Sequence, residues 1–395
     1  MSSPVYLDHA ATTPVDPRVL EAMLPYFTER FGNAASRQHA RGAEAADAVE
    51  KAREQVARAL SADPREIVFT SGATESDNLA LAGVIASDVH GRKGNHLITV
   101  ATEHRAVLDV CEALEKSGRA RVTVLPVDGK GRLDVDRLVS ALTDESVLVS
   151  VMHANNEIGV LQPIAEIARL CKEKGVLFHT DATQSFGKEI IDVEATGIDL
   201  LSLSAHKLHG PKGVGALFVR RKGPRVRLAP LLHGGGHEKG ARSGTLNVPG
   251  IVGLGMAAEI ALRHRDADGK RIGALRDRLE ETILARIDGV QRNGSSTDRL
   301  AGTTSLSFSS VDAEDLLAAL PLLCASSAAA CTSAKRQPSY VLAALGLDAE
   351  RVQGSVRFSL GRFTTEEEID FAAGEVERAV GELRRAGKKG GGVCR

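Results

Sequence analysis

Short apolar runs recur along the first half of the chain, at 66–70, 96–101, 147–152, 176–180 and 199–204, separated mostly by stretches of helical pattern. Such alternation predicts a mostly parallel sheet covered by helices, since strands buried on both faces read as unbroken apolar runs. A further strand is expected at 215–220, followed by a glycine-rich loop at 232–245. Before the sheet, residues 4–16 read as an extended arm, 17–27 as a helix capped by Asp16, and 42–60 as a long amphipathic helix. A Gly- and Ala-rich helix over 247–263 bridges to a region of different texture. There the pattern predicts a charged helix at 268–287, strands at 304–309 and 355–360, and a helix at 313–320.

This division suggests a large domain over 16–262 and a smaller α+β domain made of 1–15 and 263–385. The Gly- and Lys-rich stretch 386–395 is expected to be a flexible tail.

Composition narrows the partners. The 395 residues carry a formal charge of −1, 26% charged and 3% aromatic residues, and no Trp, so a nucleic-acid partner is not expected. Cys111, Cys171, Cys324, Cys331 and Cys394 are widely spaced and form no CxxC pair, which points to a reducing compartment and no bound metal. With no basic and apolar leader and no run of 18 apolar residues, a cytoplasmic protein without membrane partners is expected.

In open sheets of this kind ligands bind beyond the carboxyl ends of the strands. The residues found there are Ser71-Gly-Ala-Thr-Glu-Ser76, Thr102-Glu-His104, His153-Ala-Asn-Asn-Glu157, Asp181-Ala-Thr-Gln184 and His206-Lys207. Lys207 ends an apolar strand, where desolvation would free its amine to attack a carbonyl, as an imine to a cofactor aldehyde requires. Ala73 and Thr74 stand where a strand turns into a helix, so their amides either bind an anion or simply start the helix. Ser204 and His206 can add donors there. Asp181 is either a cap for the following turn or the partner of a pyridinium nitrogen, which would make the ring an electron sink. His104 can lie over that ring, and Asn156 and Gln184 can hold its oxygen.

The segment 198–217, Ile-Asp-Leu-Leu-Ser-Leu-Ser-Ala-His-Lys-Leu-His-Gly-Pro-Lys-Gly-Val-Gly-Ala-Leu, resembles the lysine signature of class-V pyridoxal phosphate enzymes. Together with Tyr6-Leu-Asp-His-Ala-Ala-Thr-Thr-Pro and Arg357-Phe-Ser-Leu-Gly-Arg, it resembles the cysteine desulfurase family, in its iron–sulfur assembly branch, over nearly the whole chain. The resemblance implies a fold-type I enzyme whose large domain holds a mostly parallel seven-stranded sheet. It implies pyridoxal 5'-phosphate held as an internal aldimine on Lys207, with Asp181 at the pyridine nitrogen, His104 stacked on the ring, and Asn156 and Gln184 at its oxygen. Ala73, Thr74, Ser204 and His206 would bind the phosphate. Thr245 would be lent by a partner subunit, implying a homodimer.

For Cys331, packing as a small hydrophobe is the ordinary reading of a cysteine among alanines. The resemblance instead implies the nucleophile that takes sulfur from L-cysteine as a persulfide, releasing L-alanine and passing sulfur to an iron–sulfur scaffold or thiolation protein. Arg357, on one face of a strand, suits a bidentate grip on the substrate carboxylate. Asn33 could reach the same group in the family pattern, and Arg362 is a competing clamp better suited to an ion pair. Ala328 and Ala329 replace the Gly and Ser more usual in the family, Ala34 stands where Pro is common, and Lys335-Arg336 makes the cysteine's segment more basic than usual. The rival functions are a selenocysteine lyase or another class-V aminotransferase.

Overall fold

The apolar runs expected between residues 66 and 220 fold as strands, with ends that differ by a residue or two. The structure is a computed structural model that describes residues 4–87, 94–327 and 338–390. In chain order the strands are β1 (Val5–Tyr6), β2 (Ile67–Thr70), β3 (His96–Val100), β4 (Arg121–Leu125), β5 (Ser146–Ser150), β6 (Leu177–Asp181), β7 (Leu200–Ser204), β8 (Gly215–Val219), β9 (Val290–Arg292), β10 (Thr303–Phe308), β11 (Leu323–Cys324), β12 (Ser326–Ser327) and β13 (Ser355–Ser359).

Seven of them form the main sheet in the order β2-β8-β7-β6-β5-β3-β4. Only β8 runs antiparallel to its neighbours; the other pairings are parallel. Alternating side chains serve two cores. Val68, Leu97, Leu148, Leu177, Leu200 and Leu217 pack on one face with residues of the helices Ala73–Ile85 and Arg105–Lys116. Phe69, Ile98, Val149, Phe178, Leu201 and Phe218 pack on the other, with Ala40–Leu60 and Ile164–Glu173. Each such side chain taken fully out of water contributes about 1.5–3 kcal/mol. β4 escaped the sequence pattern because Arg121-Val-Thr-Val-Leu125 lies at the sheet's edge with Val124 half exposed.

A second sheet, β12-β13-β10-β9, is antiparallel; the N-terminal arm pairs β1 with β11 in a separate two-stranded sheet and reaches β13 by a bridge from Asp8 to Ser359. Its core holds Val5, Leu7, Leu306, Phe308, Val356 and Phe358. The two helices expected over 247–263 and 268–287 are one helix, Val248–Arg286. The polar stretch Arg263-His-Arg-Asp-Ala-Asp268 resembled a break but contains no proline, so nothing stops the hydrogen-bond ladder. The helix buries Ile251, Leu254 and Ala258 in the main-sheet core and Leu275, Leu279 and Ile283 in the second. The last helix, Glu366–Gly390, also runs five residues into the stretch expected to be a flexible tail.

Candidate active site

The strand ends of the main sheet open into a cavity of about 480 Å³, lined among others by Thr74, His104, Asn156, Asp181, Lys207 and Arg357. At one end, the helix Ala73–Ile85 begins after Gly72 without a side-chain cap. Its first amides are therefore open to an anion, which the helix dipole favours. Gly72 takes φ 156° and ψ −179°, a conformation reached readily only by glycine. The turn is crowded from below: a Cβ on Gly215 would lie 2.5 Å from the Leu203 carbonyl oxygen and 2.8 Å from Gly72. Glu75, in the helix's first turn, accepts from the Ser71 amide and is ion-paired with Arg242 Nε at 2.7 Å, which answers its charge.

Ser204, buried at the end of β7, and His206 line the same end. Burial, then the neighbouring Lys207, holds the His206 imidazole down to about 4, so it is neutral at physiological pH. Its Nδ1 shares a hydrogen bond with Thr12 Oγ1 at 3.2 Å. Lys207 Nζ donates to the carbonyls of Ala10 (2.7 Å) and Ala11 (2.6 Å), so the N-terminal arm crosses beside the lysine. Gln184 Nε2 donates to the same Ala10 carbonyl at 2.8 Å.

Asp181 is 4% exposed at the end of β6 and accepts from the Thr183 amide at 2.8 Å. Among the described residues, no lysine or arginine forms an ion pair with it. Asn156 is buried, and its Oδ1 has no partner among the described residues. His104 is half-buried and accepts the Ala106 amide on Nδ1 at 3.1 Å, capping the helix Arg105–Lys116. A neutral imidazole bound this way carries its proton on Nε2.

Arg357 is held in β13 between Ser305 of β10 and Ser326 of β12. Its Nη1 donates to the Asn156 carbonyl and its Nη2 to Asp8 Oδ1, both at 2.7 Å, while Nε is buried without a partner among the described residues. The competing clamp, Arg362, is paired with Asp268 (2.7 Å) and Asp16 (3.2 Å). This is the expected ion pair, but it is largely buried.

Two expected residues are not brought to the cavity by this chain. Asn33 is exposed, and its Oδ1 accepts the Ala35 amide in a local turn; Thr245 is exposed in the loop after β8. Cys331, with Ala328, Ala329, Lys335 and Arg336, lies outside the described residues. The sequence reading missed Asp8, whose only signal was an acid inside an apolar arm. It also missed three buried groups behind the cavity, Asp77, Glu103 and His179.

An uncapped helix start at one end of the cavity, a buried carboxylate lacking a cation at the other, and a lysine lining the space between them fit a phosphorylated pyridine aldehyde. The fold and site define a pyridoxal-phosphate-dependent enzyme of the aminotransferase class-V family, whose family model matches residues 5–371. Within that class the chain belongs to the cysteine desulfurases. It is 55% identical to the cysteine desulfurase IscS of Anaeromyxobacter dehalogenans (strain 2CP-C) over 97% of this chain and 94% of the relative. It is 52% identical to the IscS of Rickettsia rickettsii (strain Iowa) over 97% and 93% of the two chains. A solved NifS-like protein superposes with a TM-score of 0.88 at 38% identity, covering 96% of this chain and 99% of that one.

Proposed function

We propose that this chain converts L-cysteine to L-alanine and takes the sulfur onto Cys331 as a persulfide, for delivery to an iron–sulfur scaffold or a thiolation protein. Pyridoxal phosphate, when bound, supplies an electron sink in conjugation with the substrate α-carbon. The residues do the rest. The amides of Ala73 and Thr74, with Ser204 and His206, hold the phosphate; Asp181 keeps the pyridine nitrogen protonated; Asn156 and Gln184 orient the ring's oxygen. Lys207 would hold the cofactor through its aldehyde carbon, and His104 would offer its Nε2–H as a proton donor. Arg357 grips the α-carboxylate with the Nη N–H groups that Asp8 and Asn156 leave unused, fixing which bond to the α-carbon is activated. The Cys331 thiolate attacks the substrate sulfur; the carbon–sulfur bond breaks, and its electron pair stays with the alanine carbon, which then takes a proton.

Thr245 stands exposed on its loop, which suits a residue completing the phosphate site of a second copy, so the working form is a homodimer. A cytoplasmic setting accords with free cysteines at positions 111, 171 and 324 and with a persulfide product. No helix among the described residues is long and apolar enough to cross a membrane.

The observation that carries this reading is the pairing, in one cavity with Lys207, of an uncapped helix start and a cation-free Asp181. The test is a pair of variants. Lys207→Ala should abolish the visible absorption of the bound cofactor. Cys331→Ala should keep that absorption and lose cysteine-dependent sulfide release; release that survived in Cys331→Ala would overturn the persulfide step.

A further inference from the structure

Behind Asp181 lies a buried polar layer that the reaction above does not use. On β6, side chains alternate so that Leu177, His179 and Asp181 share the face covered by the helix Ala73–Ile85. That helix, whose first turn forms the phosphate cup, sends Asp77 down onto the sheet with no exposure to solvent. Asp77 Oδ1 stands 3.6 Å from His179 Nε2, and among the described residues neither of its oxygens has a hydrogen-bond partner at close range, although the Ser202 hydroxyl lies alongside. Ser202 pairs in register with Asp181 and shares a hydrogen bond with His179 Nε2 at 3.0 Å, while His179 Nδ1 pairs with Ser150 Oγ at 2.8 Å. Glu103 enters from the end of β3: it accepts the Met152 amide on Oε1 and leaves Oε2 unpartnered.

Asp77, Glu103 and Asp181 thus share one interior. Among the described residues, no lysine or arginine pairs with any of them. Burial, then Asp181, pushes Asp77 well above the usual carboxylate range, and burial and Asp181 do the same to Glu103. His179 brings no positive charge, because burial holds its imidazole down to about 3. A pyridinium nitrogen would add one positive charge, enough for one carboxylate, and an unanswered second charge in such a place is strongly disfavoured.

We propose that Asp77 is a positioning residue of the cofactor site: as a neutral acid facing the Ser202–His179–Ser150 chain, it leaves Asp181 as the one carboxylate at the pyridine nitrogen. This rests on the assignment of Asp181 to that nitrogen. Asp77 and the phosphate cup share one helix, so a single element sets both ends of the ring.

The test uses the full-length holoenzyme and two readouts of bound pyridoxal phosphate: its dissociation constant and the pH midpoint of its visible band. Asp77→Asn, the same shape and permanently neutral, should stay within about threefold in affinity and about 0.3 unit in midpoint. Asp77→Ala should weaken binding about tenfold or move the midpoint by about one unit, since Ser202 and His179 lose their neighbour. Asn departing as far as Ala, or Ala behaving as wild type, overturns the proposal. Should Asp77→Ala fail to fold, the infrared difference between wild type and Asp77→Asn decides: loss of a protonated carboxyl band supports the proposal and loss of a carboxylate band overturns it. Asp181→Ala separates the two layers. Wild-type affinity and midpoint in that variant would remove the assignment of Asp181 and this inference with it, whereas weakened binding there beside an unaffected Asp77→Ala removes only the inference.

Discussion

Replacing Arg357 with lysine keeps the charge and removes the fork. In the structure that fork spans two acceptors at 2.7 Å, the Asp8 carboxylate and the Asn156 carbonyl, from a position 3% exposed. An ammonium cannot reach both from one point. Losing one charge-assisted hydrogen bond from a buried site costs about 1.5–3 kcal/mol, so urea unfolding should show a loss of that size. The same loss of a planar grip on the substrate carboxylate, at about 1.4 kcal/mol per factor of ten, raises KM for L-cysteine roughly ten- to a hundredfold. The assay is alanine formation across a range of cysteine concentrations, run beside Arg362→Lys. Arg362 is tied to Asp16 and Asp268, so its lysine variant should lose stability with KM unchanged. If Arg357→Lys lost stability yet kept its KM within about twofold, Arg357 would be only the structural partner of Asp8, and the clamp assignment would fall.

Three other outcomes are expected. Arg53→Ala breaks a buried bidentate pair with Glu238, both contacts at 2.8 Å and the side chains 8% and 3% exposed, so urea unfolding should show a loss of about 3–5 kcal/mol. Burial pushes Glu157 up to about 7 against the opposing pull of Ser339 and Arg357, so the folded protein holds a proton that the unfolded chain releases near 4.5. Its stability contribution is therefore full below about pH 4.5 and lost as pH rises through 7, about 3 kcal/mol in all, and Glu157→Gln should shrink the stability difference between about pH 4 and 8 by that amount. Gly215→Ala forces its Cβ against the Leu203 carbonyl and the Gly72 turn, and should lose about 1–3 kcal/mol on thermal unfolding together with cofactor affinity.

The interior strands of the main sheet were legible because buried strands must be apolar throughout, whereas their order in the sheet was not. β4 was not, because an edge strand with Val124 half in water carries no such obligation. Lys207, Asp181 and His104 could be picked out since each follows an apolar run, and a polar group at that place needs a reason. Asp77 and Glu103 follow or adjoin the same runs, yet a helix interior and a plain Thr-Glu-His gave no sign that both side chains turn inward. The long helix was misread as two because residues 263–268 are polar all round. That is the signature of a helix crossing solvent between two cores as much as of a loop.

That helix has 39 residues and measures roughly 58 Å at 1.5 Å per residue. Its first third is sealed beneath one sheet and its last third beneath the other, so a cut near residue 263 would leave each sheet its own share of the helix but would part the second core from Val5 and Leu7 of the N-terminal arm. The arm thus ties the two cores together as the helix does, and calorimetry of the intact protein should record a single melting transition rather than two.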